Sequence, residues 1–127
     1  FIRRGFEETS FEMLTDGTEE RQFLYAEDCC EGLEAVMNNY DELKPTDQLH
    51  ITSFSSTTIK DIASIIVGQF NTIDMLDVEI KPGLAKDSVQ MDKRNEADTY
   101  ISKWWMPKTS ITEGISKVFE DMKHDWV

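Results

Sequence analysis

Positive charge is scarce in this 127-residue sequence: 13 Lys and Arg stand against 25 Asp and Glu, for a formal charge of −12. A field of that sign repels phosphate backbones and anionic bilayers, so neither nucleic acid nor a membrane surface is expected as a partner. Long apolar runs are missing as well. No stretch approaches the roughly 20 apolar residues that a membrane helix needs, and Phe1-Ile2-Arg3-Arg4-Gly5 lacks the length of a secretory leader. The expected location is the cytoplasm. Cysteine occurs only as the adjacent pair Cys29 and Cys30, a spacing that cannot staple a fold and that fits a reducing compartment. The two histidines, His50 and His124, are isolated, so no metal ligand set is completed and no metal is expected. Six Gly and three Pro are too few for a fibrous or disordered chain.

What is present is ordinary globular composition, 39% hydrophobic and 30% charged, at a length suited to one domain with a real core. The sequence opens on Phe rather than Met, within what reads as the tail of a helix, and is expected to be an excised fragment forming one unit over residues 1–127.

Phe11 to Thr15 reads as a strand, Asp16-Gly17-Thr18 as a turn, and the aromatic-rich Arg21 to Ala26 as a second strand. Cys29, Leu33, Val36, Met37 and Tyr40 recur near a 3.6-residue period and predict a helix, with Asp28 as its cap. Leu49 to Ser53 reads as a short strand. Thr58-Ile59-Lys60-Asp61 has capping-box form and opens a helix whose apolar arc, Ile59 through Phe70, is wide enough to require cover. Asp77 to Ile80 alternates like a strand before Pro82-Gly83 breaks it, and Asp92 to Ser102 is expected to hold a short helix. Ser110-Ile111-Thr112-Glu113 caps a closing amphipathic helix through Ile115, Phe119, Met122 and Trp126. Strands alternating with about four helices predict an α/β fold with strands partly parallel.

Catalytic motifs are lacking. There is no glycine-rich phosphate loop, no Gly-x-Ser-x-Gly elbow and no His-Glu-x-x-His pair. Tyr40-Asp41-Glu42-Leu43-Lys44 matches a Tyr-x-x-x-Lys spacing, but it stands where a helix runs out toward Pro45, with no cofactor element beside it, and is read as a chance match.

Two longer segments carry more information: Asp16-Gly17-Thr18-Glu19-Glu20-Arg21-Gln22-Phe23-Leu24-Tyr25-Ala26-Glu27-Asp28 and Trp105-Met106-Pro107-Lys108-Thr109-Ser110-Ile111-Thr112-Glu113-Gly114. With His50-Ile51-Thr52-Ser53, the helix from Ile59, and Lys81-Pro82-Gly83 between them, the sequence resembles the extended short-chain dehydrogenase/reductases, the NAD-dependent epimerases and dehydratases of nucleotide sugars. The order and the intervals match over nearly the whole chain.

The resemblance implies a small C-terminal substrate-binding domain that normally packs against an NAD-binding Rossmann domain absent here. It implies that the parent uses NAD or NADP, that this fragment binds no cofactor and is inactive alone, and that its ligand is a nucleotide sugar. The family commonly forms homodimers through helices of the other half. Carried over by position, the family Arg that reaches the diphosphate or ribose falls on Arg21, whose guanidinium fork suits phosphate oxygens; pairing with Glu19 or Glu20 is the alternative. The Arg before Pro-Gly is Lys81, which keeps the charge and loses the fork. His50 replaces an Asn and is read either as a ligand contact or as a structural histidine. Leu14 falls where the family lines the base pocket, with simple core packing the plainer reading. Asp28, Trp105, Pro107, Ser110 and Gly114 are read as scaffold. The rival function is a non-catalytic binding or interaction domain that shares the fold.

Overall fold

The computed structural model describes residues 1–44, 46–72, 77–87 and 99–126. The chain enters through helix α1 (Ile2–Glu7), whose exposed face is laced by i,i+4 pairs from Arg3 to Glu7 and from Arg4 to Glu8. Strand β1 (Ser10–Glu12) follows, then β2 (Glu20–Arg21) and helix α2 (Ala26–Asn38). After a 3-10 turn at Tyr40–Glu42 come β3 (Thr57–Thr58), helix α3 (Ile59–Phe70) and β4 (Glu79–Lys81). A 3-10 helix at Tyr100–Lys103 leads to the closing helix α4 (Ile111–Lys123). The result is a small α/β fold of four helices and short strands among the described residues. The expected Asp92 to Ser102 helix falls largely on residues 88–98, outside the described residues, and so does Pro45.

The two strand pairs differ in kind. β1 and β4 are parallel, with Ser10 opposite Glu79, Phe11 opposite Ile80 and Glu12 opposite Lys81, as befits strands joined by a crossover that carries helices. β2 and β3 are antiparallel, Glu20 opposite Thr58 and Arg21 opposite Thr57. The expected strand from Arg21 to Ala26 is therefore much shorter, because α2 starts at Ala26. Leu49 to Ser53 forms no strand; the partner of β2 is instead the dipeptide at the mouth of α3.

Both N-caps form. The Thr58 hydroxyl accepts from the Asp61 amide at 3.2 Å, and the Ser110 hydroxyl accepts from the Glu113 amide at 3.2 Å. The first turn of α3 is further satisfied from the β1–β2 loop: Ile59 N donates to the Glu19 carbonyl at 3.1 Å and Lys60 N to the Gly17 carbonyl at 2.9 Å. One face of α3, through Ile62, Ile66 and Phe70, meets Phe119 of α4 over β1 and β4. Phe70 and Phe119 are fully buried, edge to face with ring centroids 4.8 Å apart.

Helix α2 is attached differently. Asp28 is no cap: it lies inside the first turn, Tyr25 occupies the cap position, and the Asp28 side chain is completely buried. Its Oδ2 accepts from the Lys108 amide at 3.2 Å and the Thr109 amide at 2.8 Å, on the segment that leads into α4. One turn on, Gly32 fits against Trp105 and Ile51, where a Cβ would come within 2.9 Å of Ile51 Cγ2. Trp105 is buried, as the Trp-x-Pro pattern implies. Leu33 and Met37 of α2 stay in solvent at 52% and 75% exposure, as does Tyr40 of the following 3-10 turn at 72%, so the apolar period that predicts this helix does not mark a face buried within the chain. Cys29 and Cys30 are both free thiols on this helix.

Removing the Asp28 carboxylate leaves two part-buried amide donors without an acceptor. Asp28→Ala should destabilise the fold by about 1–3 kcal/mol, and Asp28→Asn, which keeps a carbonyl acceptor, by less. Urea denaturation checks this; equal midpoints for all three proteins would show that the contact carries no stability.

Candidate functional site

The chemistry-bearing residues collect where β1 and β4 end. Past Glu12, the Met13 amide donates to the Lys81 carbonyl at 2.8 Å, the Gly83 amide to the Thr15 carbonyl at 2.8 Å, and the Asp16 amide to the Ala85 carbonyl at 2.8 Å. Thr15 and Ala85 extend the parallel pairing as an isolated bridge. This approach requires glycine at position 83, because a Cβ there would lie 2.3 Å from the Met13 carbonyl oxygen and 3.0 Å from that of Thr15. Pro82 before it has no amide to pair, and the cross-strand hydrogen bonds resume at the glycine itself.

The loop leaving β1 is shaped by its own side chains. The Asp16 carboxylate accepts from the Thr18 hydroxyl at 2.7 Å and from the Thr18 amide at 3.0 Å. The Thr18 hydroxyl, then its amide, hold the Asp16 carboxyl below the usual carboxylate range. Gly17 takes φ +77°, a left-handed conformation natural to glycine, and its carbonyl faces α3. Thr15 donates its hydroxyl to Glu19 Oε1, while Glu19 Oε2 is buried with no hydrogen-bond partner.

Arg21, at the end of β2, turns toward the β4 side. One terminal nitrogen donates to the Glu20 carbonyl at 2.9 Å and the other to Asp87 Oδ2 at 2.8 Å. Its ion-pair partner is thus Asp87, sixty-six residues away, and not the neighbouring carboxylates of Glu19 or Glu20. The pair is part-buried, with the Arg21 side chain 33% exposed. Two of the guanidinium's five N–H donors are engaged in these bonds.

Lys81 closes β4 and pairs with Glu79 Oε2 at 3.2 Å on the exposed face. Leu14 is 91% exposed, so core packing does not account for it; its side chain stands in solvent beside the bridge. His50 is half-buried and in contact with a partner. Its segment meets the exit of β2 where the Thr52 hydroxyl donates to Gln22 Oε1 at 2.7 Å. The structure therefore gathers Leu14, Lys81 and, through Asp87, Arg21 around the ends of one parallel pair, and leaves His50 on a neighbouring segment.

Sequence reasoning does not find Asp87 or Leu84. Asp87 is one acid among many, and only the fold reveals which cation it holds. Leu84 is 96% exposed immediately after Pro82-Gly83, a place where an apolar residue has no local reason to stand.

The family described as NAD dependent epimerase/dehydratase matches residues 1–52. A GDP-L-fucose synthase of Sinorhizobium fredii (strain NBRC 101917 / NGR234) is 30% identical over 106 residues, which is 82% of this chain and 31% of that protein. Among solved structures, the Bordetella bronchiseptica enzyme WbmF in complex with NADH superposes with a TM-score of 0.73 at 23% identity, over 98% of this chain and 35% of that one. A mutant of the Bacillus cereus UDP-glucuronic acid 4-epimerase, in complex with UDP-4-deoxy-4-fluoro-glucuronic acid and NAD, gives 0.72 at 21% identity, over 98% of this chain and 38% of that one. The chain thus spans about a third of the length of the proteins it matches.

The close approach at Gly83 sets the geometry of this end. Gly83→Ala should cost about 1–3 kcal/mol, because the Met13 and Thr15 carbonyls that a Cβ would meet are backbone and cannot swing aside. A melting temperature equal to that of the unsubstituted chain would show that the two loops can part freely.

Proposed function

We propose that this chain, which is related in sequence and in fold to the NAD-dependent epimerase/dehydratase family, is the C-terminal substrate-binding portion of an NAD(P)-dependent nucleotide-sugar epimerase or dehydratase. On this reading residues 1–127 are one unit and their ligand is the nucleotide sugar. The observation that carries it is the meeting of an oriented guanidinium, a lysine and an unburied leucine at the carboxyl ends of two parallel strands, the position where α/β sheets receive ligands.

The roles follow from chemistry. Asp87 fixes one side of the Arg21 fork, so donors not engaged by Asp87 or Glu20 can meet diphosphate or ribose oxygens with little further ordering. Asp87 also offsets part of the charge, so the contribution of Arg21 is directional as much as coulombic. Lys81 adds a point charge that Glu79 tempers. Leu14 offers an apolar wall to the base. His50 is proposed as a further polar contact from the adjoining segment.

The residues of this chain do not fit a dinucleotide. No glycine-rich turn joins a strand to a helix, and Tyr40, the tyrosine of the Tyr-x-x-x-Lys match, is 72% exposed on a 3-10 turn. NAD(P) and the hydride chemistry are therefore assigned to the rest of the parent protein. Leu33 and Met37 on α2, and Tyr40 on the 3-10 turn that follows it, are proposed to be covered by that other part. A homodimer would form through its helices, and a cytoplasmic location suits the reading. No helix among the described residues is long and apolar enough to cross a membrane.

In the full-length protein, Arg21→Ala should raise the Michaelis constant for the nucleotide sugar about ten- to a hundred-fold, since a charged hydrogen bond contributes roughly 1.5–3 kcal/mol. Arg21→Lys should recover only part. The melting temperature should fall little, because a part-exposed ion pair contributes about 0–1 kcal/mol. A fall in melting temperature with unchanged substrate affinity would make Arg21 a purely structural residue and sink the assignment. Titration calorimetry of the isolated chain with NAD should show no binding; stoichiometric binding would overturn the division of labour.

A further inference from the structure

Arg21 has Glu19 as a sequence neighbour, and the structure turns that carboxylate elsewhere. Glu19 Oε1 accepts from the Thr15 hydroxyl beyond the end of β1, while Arg21 pairs with Asp87. The other oxygen, Oε2, is buried with no hydrogen-bond partner. An unmatched buried acceptor costs free energy, and the contact at Oε1 offsets it at best in part. A carboxylate also offers nothing to a phosphate, and this one has its unmatched oxygen closed off from solvent, so direct contact with an anionic ligand does not account for it.

Its contacts tie the approach to Arg21 to the rest of the site. Thr15 is held to the β4 loop by its backbone: its carbonyl accepts from the Gly83 amide at 2.8 Å, and it forms the bridge with Ala85. Its hydroxyl serves the β1–β2 loop, accepting from the Gly17 amide at 3.2 Å and donating to Glu19. The Glu19 carbonyl in turn accepts from the Ile59 amide at 3.1 Å, at the mouth of α3. Glu19 therefore joins the end of β1 to the start of α3, immediately before β2 and two residues before the guanidinium that Asp87 orients. Without its side chain, residue 19 keeps the α3 contact and loses its link to the strand end on which the β4 loop lies.

We infer that Glu19 is a positioning residue: through Thr15 its carboxylate sets where Arg21 stands relative to the β4 loop, and so acts on the binding of a nucleoside diphosphate without touching it. The inference rests on the role proposed for Arg21 and adds the residue that places it.

The test is a double-mutant cycle read by calorimetry on the full-length protein with UDP and GDP, taking the dissociation constant of whichever binds. Glu19→Ala should weaken binding about three- to tenfold, less than Arg21→Ala, because a residue that works through another cannot cost more than the loss of that other. In the Arg21→Ala background the same substitution should cost nothing further. Glu19→Gln, which keeps an oxygen for the Thr15 hydroxyl, should restore most of the affinity. Thr15→Val, which keeps the shape and removes the hydroxyl, should reproduce Glu19→Ala. If Glu19→Ala weakens binding equally with and without Arg21, or lowers only the melting temperature while Arg21→Ala weakens binding, the positioning role is overturned and the nucleotide site stands. If Arg21→Ala binds like the unsubstituted protein, or neither UDP nor GDP binds, the positioning role and the proposed function fall together.

Discussion

The constraint on which this structure turns is a missing atom. Without a side chain at position 83, the loop leaving β4 lies directly on the backbone leaving β1, and its amide reaches the Thr15 carbonyl. Everything at the candidate site descends from that closeness. It carries the parallel pairing on to Thr15 and Ala85. Two residues beyond the bridge, it delivers Asp87 to the Arg21 guanidinium. A side chain at this position would separate two backbones that three hydrogen bonds bring together.

A second tie holds the periphery to this centre. The Asp28 carboxylate spans eighty residues of sequence to take the Lys108 amide and eighty-one to take that of Thr109, which fixes α2 to the approach to α4. Nearby, Lys108 pairs with Glu31 of α2, and this contact raises the lysine above its ordinary pKa. The two attachments are of different kinds. The Asp28 contact is buried and directional, and its loss strands two donors; the Lys108–Glu31 pair lies in solvent, where water and salt weaken it. Helix α2 thus hangs on one buried carboxylate, the glycine-sized notch against Trp105, and the contact of Gly114 with Tyr25.

Local chemistry was legible in the sequence, and long-range partnership was not. The caps at Thr58 and Ser110 are written in four consecutive residues each, and they form as read. The apolar arc of α3 and the break at Pro82-Gly83 are equally local. Leu49 to Ser53 is different: its residues suit a strand, but a strand needs a neighbour, and β2 pairs instead with Thr57–Thr58. Asp28 reads as a cap by type and position, and only the approach of Lys108 and Thr109 reveals it as a clamp. Arg21 stands beside two glutamates in sequence, yet its carboxylate partner lies across the fold at Asp87. Leu14 reads as core because leucine usually is, and the outward turn of the strand end puts it in solvent.

The parallel register carries a further consequence. Ser10 and Glu79, which face each other across β1 and β4, are 69 residues apart in the chain, with α2, α3 and every long connection before β4 between them. The entropy of closing a loop rises only with the logarithm of its length, about 0.6 kcal/mol for each doubling. The segments that connect these elements can therefore lengthen or shorten over evolutionary time at small energetic expense, while the ends of β1 and β4 keep their alignment. Divergence in loop length is decoupled from the spacing of the residues at the ends of these two strands.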